Sequence, residues 1–195
     1  MTEEIDINEK LKEKHEEMLL NKKKIDIDNI VESLLLFFKN YSDNLSNEII
    51  DRICMIKRID DQNQEKEIVR TMVSALFDMV NKKLNDISLE KFNSFKDKIA
   101  SVVDNEYSKK LNQISHSIIN ESFDYYLENG KILVDELSDE DNKKIIYDYV
   151  MKTIYNKLLN KLKDQFAYSI KVIDNNYEEN EQIINSISQK TMNKV

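Results

Sequence analysis

Proline is absent from the 195 residues, glycine occurs once, tryptophan never and cysteine once. At average usage a chain of this length carries about ten prolines and about fourteen glycines. The deficit removes most routes to tight turns, hairpins and left-handed corners, because glycine supplies positive φ and proline pre-sets turn geometry. A fold rich in sheets and hairpins is therefore not expected. Nucleotide cradles that need several glycines at fixed spacing are excluded too, since Gly130 alone cannot let the backbone approach a phosphate. One cysteine allows no internal disulfide. The longest uninterrupted apolar run, Leu34 to Phe38, is five residues, against about 20 for a spanning helix. Met1 to Glu9 is acidic and has neither the basic nor the apolar region of a signal peptide, so a cytoplasmic location is the expectation.

What is there points to helices. The chain is 41% hydrophobic and 34% charged, and the apolar residues recur with helical period through nearly its whole length, which argues against disorder. Twenty-five isoleucines, 22 asparagines and a lysine-heavy basic set also fit an AT-rich coding composition. The missing proline is for that reason weaker evidence for helix than caps and spacing are. The expected fold is an all-α, elongated multi-helix bundle with two long helices, about 88–129 and 139–173, and a charged N-terminal helical arm. Its expected division is residues 1–24 as the arm, 25–87 as an N-terminal helical subdomain and 88–195 as the long-helix bundle.

Several local signals set those bounds. Ile25 to Asp28 alternates apolar and acidic residues, and Asp28 can cap a helix over about 29–40. Ser46, preceded by Leu45 and followed by Ile50, has the pattern of a hydrophobic staple. Asp61 with Gln64 has capping-box spacing, and Ser88, with Ile87 before it and Phe92 after, repeats the staple. Gly130 reads as the left-handed residue that stops the first long helix, while an irregular stretch near Asp104 to Glu106 marks a stutter or a break into two helices. Ser138 with Asp141 opens the second. Within it Ile146, Val150, Ile154, Leu158, Leu162, Phe166 and Ile170 stand four apart. Such a row turns by about 40° per step on an α-helix, so neighbours on more than one side are implied. A final amphipathic piece, Tyr177 to Met192, carries Ile183, Ile184 and Ile187.

Residue patterns that carry chemistry are few. Neither His15 nor His116 has a glutamate three residues before it, so the paired Glu-x-x-His signature of di-iron bundles is missing. Two histidines and Cys54 cannot fill a structural zinc site, and no acidic loop with a turn glycine suits calcium. Cys54 lies in an apolar stretch and reads as a small buried residue; His116 reads as a border residue of an apolar face. Phe123, Tyr125 and Tyr126 read as core and rim. No catalytic residue, cofactor or metal is expected.

The net charge of −8 is uneven, with −5 falling on residues 25–80. The densest basic run is Lys22 to Lys24, too small for a counterion-displacing surface, so nucleic acid is not an expected partner. Peripheral membrane contact is disfavoured because residues 28–41 hold only Lys39, whereas interfacial helices are basic. The expectation is a non-enzymatic helical protein-protein interaction module that self-associates, forming a homo-oligomer, or docks on a partner through apolar helix faces. The candidate surface is Leu34, Leu35, Phe37, Phe38 and Tyr41, with Leu11 and Met18 on the arm. In length and helical content the chain resembles the TetR class of ligand-responsive transcription regulators, which implies an alternative role in DNA-linked regulation. It departs from that class in having neither the glycine-containing helix-turn-helix nor the aromatic motif after it. A further alternative is an acidic inhibitor that occupies a basic partner.

Overall fold

The computed structural model describes residues 2–60 and 64–192. They form an all-α bundle of four long helical rods: α1 (Thr2–Lys57), α2 (Gln64–Lys98), α3 (Asp104–Leu137), and α4 (Glu140–Thr153) running on into α5 (Asn160–Met192). Cross-links fix the order as up, down, up, down. Lys57 pairs with Glu65 at 2.6 Å at one end of α1 and α2, and Lys96 pairs with Asp28 at 2.7 Å towards the other. Phe95 stacks on Tyr107 across α2 and α3 with ring centroids 6.1 Å apart. Lys143 meets Asp135 at 2.8 Å at the α3–α4 turn. Gln165 Nε2 donates to Ser33 Oγ at 3.0 Å, so α5 also lies antiparallel against α1 and closes the ring. Ile27, Leu34, Phe38, Leu84, Leu111, Ile118, Val150 and Leu162 all sit in one continuous core.

The helices are longer than the local signals suggest. There is no interruption at Ile25 to Asp28: Ile27 is fully buried, and with Ile30, Leu34, Phe38 and Leu45 it continues one core face. Packing along that face outweighs the alternation around it. Asp28 is no cap but the partner of Lys96. Ser46 and Ser88 are not N-caps either, since both are buried inside helices and the expected helix start at 88 falls within α2. In a chain with three alanines and one glycine, serine is the small side chain available where rods approach closely. Ser42, Ser115 and Ser122 return their hydroxyls to carbonyls one turn back, on Lys39, Leu111 and Ile118, at 2.8–2.9 Å, which satisfies them without a partner. The cap proposed at Asp61 lies outside the described residues.

The expected helix over 88–129 is two helices. α2 ends at Lys98, Ile99–Ser101 form a 3-10 turn, and α3 starts at Asp104. Gly130 is not a stop, because it lies buried inside α3 with ordinary negative φ. A Cβ placed there would stand 3.4 Å from the Tyr126 ring and 3.6 Å from Met151 Sδ. A methyl there would touch Tyr126 and Met151 at ordinary contact distances without overlap. The left-handed stop belongs to Arg58, with φ 56°. Ile59 N–H donates to Cys54 O at 2.9 Å and Arg58 N–H to Met55 O at 3.3 Å, the two bonds of a Schellman motif. The cap of α4 is Asp139, one residue after Ser138, and its carboxylate accepts from Asn142 N–H at 3.0 Å.

The expected helix over 139–173 is found with a different interior and a further end: the rod continues to Met192 and contains a π-helical segment, Ile154–Leu159. All seven residues of the four-apart row, Ile146 to Ile170, are buried. An α-helix would carry that row about 240° around its axis. The wider π turn takes up an extra residue midway and brings the second half of the row back towards the core.

Candidate interaction surface

The residues proposed from sequence separate into three groups. Leu34 and Phe38 belong to the core, each 1% exposed, and are not available to a partner; the arc over 30–41 is wide because α1 is gripped from two sides, by α2 and by α5. Phe37 and Tyr41 are half-buried and stacked on each other with centroids 5.6 Å apart. Leu35 is half-buried and floors an open groove of about 570 Å³ between α1 and α2, together with Val31 and Leu36. Asp28, Glu32 and Asp78 stand at that groove with Lys39 and Lys82.

Leu11 and Met18 are 61% and 63% exposed. Every side chain from Glu9 to Met18 is exposed, so this part of α1 runs past the end of the bundle. The anchors lie further on: Leu20 packs against the core, Tyr107 O–H donates to Lys23 O at 3.0 Å, and Lys23 pairs with Asp104. Sequence reasoning missed Ile25 and Leu36, exposed by 58% and 59%. The signal was present: Leu11, Met18 and Ile25 are seven apart, a heptad interval. At about 100° per residue, all three and Leu36 fall within about 40° on one side of α1. That side is opposite the face holding Ile27, Leu34, Phe38 and Leu45, which are buried. α1 is therefore apolar along two opposite lines, one inside the bundle and one facing solvent.

Charge along the outer line is segregated. Lys10, Lys14, His15 and Lys22 flank its first half, whereas Glu9, Glu13, Glu16 and Glu17 lie about 100° or more away. Asp28, Glu32 and Asp43 flank its second half, with Lys39 as the only base of residues 25–43. At the far side of the bundle Glu48 accepts from Tyr149 O–H at 3.0 Å and pairs with Lys157, while Arg52 lies over the Tyr149 ring, 5.4 Å from its centroid. The Lys157 bond, aided by Tyr149, holds the Glu48 carboxyl below its ordinary value against the opposing effect of burial.

Little else is arranged for chemistry among the described residues. Cys54 is buried; His15 and His116 are exposed, so His116 points away from the apolar face between Ile114 and Ile118. No group of three or more His, Cys, Asp or Glu could hold a metal ion. Tyr126 O–H is buried without a hydrogen-bond partner, and burial pushes that phenol well above its ordinary range. It fills the space beside Gly130. No helix among the described residues is long and apolar enough to cross a membrane. Comparison of the chain with protein-family models, curated proteins and solved structures finds no match.

Proposed function

We propose that this chain is a non-enzymatic helical interaction module that associates through the outward face of α1. The observation that carries the reading is the line of Leu11, Met18, Ile25 and Leu36, all more than half exposed and set opposite the helix's own core face. Isolated exposed leucines are normal on any surface. Four large apolar side chains aligned over about seven helical turns, flanked by ordered charge, have the pattern of a partner seam. The protruding segment supports the same reading. A helix of this length without tertiary support is marginal in water, and covering its apolar side would stabilise it.

The test is size-exclusion chromatography of tagged full-length chain in extracts of its source cells, comparing wild type with Leu11→Asp/Met18→Asp. Both sites are exposed, so circular dichroism should be unchanged. Wild type is expected in a complex, with itself or another chain, and the double variant at monomer size. Monomer elution of both in extract would refute the reading.

A further inference from the structure

We infer that the occupant of this face is a second copy of the same chain, lying antiparallel, with the arm of each copy seated over the α1–α2 groove of the other. The inference rests on the interaction reading above and adds its partner. The argument is charge complementarity under two-fold symmetry. A two-fold axis across α1 places the first half of its outer line against the second half of its mate, so the surface must complement itself end to end. The first half is basic, with Lys10, Lys14 and Lys22; the second is acidic where the arm would lie, with Asp28 and Glu32. A parallel pairing would set like charge on like along the whole length.

Charge and the groove set the register. With Leu11 of one copy against Leu36 of the other, Met18 faces Asn29, Ile25 faces Lys22, and His15 comes opposite Glu32 with Lys14 beside it. Leu11 then covers Leu36 and Leu35 at the groove, whose α2 side supplies another carboxylate, Asp78, towards the basic arm. Neither Lys14 nor Glu32 has an ion pair among the described residues, whereas Asp28 is already held by Lys96. The geometry leaves room for this pairing. α1 enters the bundle near Lys23, so an axis near that point directs the two bundles away from each other. Each arm lies on the other copy's solvent side.

Two-fold symmetry makes a sharp test possible, because every contact occurs twice. Lys14→Glu alone places glutamate on Glu32 at both contacts; Glu32→Lys alone places lysine on Lys14 at both. Mixed one to one, the two variants form a heterodimer in which both contacts are of opposite sign. Sedimentation velocity of purified full-length chain should give a wild-type dimer that weakens as salt is raised. Each variant alone should associate roughly fivefold or more weakly, and the mixture should return towards wild-type affinity. A monomeric wild type, a dimer insensitive to both variants, or a mixture no tighter than its components would each overturn the inference. If the purified chain is monomeric while its elution in extract still depends on Leu11 and Met18, the interaction reading stands and only the second-copy occupant fails.

Discussion

Replacing the only glycine gives the most discriminating stability prediction. Were Gly130 a left-handed helix stop, an alanine there would adopt a conformation costing an L-residue roughly 1–2 kcal/mol. The structure places Gly130 inside α3 with negative φ, where alanine is favoured over glycine by about 1 kcal/mol. The added methyl would meet Tyr126 Cζ at 3.4 Å, its hydroxyl oxygen at 3.5 Å and Met151 Sδ at 3.6 Å. These are contact distances and not overlaps, so little of the helical gain is lost. Gly130→Ala is therefore expected to stabilise the bundle by about 0.5–1 kcal/mol, raising Tm by roughly 1–4 °C for a domain of this size. Urea unfolding followed by far-UV circular dichroism reads the difference from the midpoint at unchanged slope. Gly130→Leu is the control, because atoms beyond Cβ have no room and overpacking should cost about 1–3 kcal/mol. A loss of about 1 kcal/mol or more in Gly130→Ala would refute the placement of this residue in mid-helix.

Three further outcomes follow from particular side chains. The Tyr126 phenol is buried and held protonated, so its contribution is present below the unfolded value near 10 and is lost as pH rises through the higher folded one; Tyr126→Phe should remove this alkaline sensitivity in urea midpoints and cost less than about 1 kcal/mol at neutral pH, since no hydrogen bond is lost. Arg58 occupies a left-handed position, so Arg58→Gly should stabilise by about 0.5–1 kcal/mol in the same assay. Glu48 has a lowered carboxyl, chiefly through its bond from Lys157; its contribution is present above about pH 4.3 and fades as pH falls through the folded value. Glu48→Gln should flatten the acid limb of the stability curve, with a neutral-pH cost of at most about 1 kcal/mol for an exposed pair.

The helical class and most of the core were legible because a spacing of three to four persists through every rod: Val69, Val73, Leu76, Val80 and Leu84 are all buried as that spacing requires. Helix ends were less legible. Ser46 and Ser88 have the composition of caps, yet a serine also serves as a small residue between packed helices, and only tertiary contacts distinguish the two. Gly130 lies in mid-helix and Arg58 takes the left-handed corner, against what their side chains suggest, because where the chain turns is a property of the assembled bundle. The π segment was visible indirectly, as a four-apart row too long for one face of an α-helix. The outer line of α1 was half visible. Leu11 and Met18 stood out, while Ile25 was absorbed into a supposed break, and Leu34 and Phe38 were counted as surface because the second wall, α5, is remote in sequence.

The solvent face of α1 is expected to be covered in the working protein. Amide hydrogen exchange of residues 9–18, followed in the full-length chain over a dilution series, reads whether that covering occurs. Their side chains are all exposed, so at the lowest concentrations they should exchange as fast as an unsupported helix. Protection should grow with concentration as the second copy binds, and Leu11→Asp/Met18→Asp should abolish that growth. Exchange in this segment that is independent of concentration and identical in the variant would contradict the account.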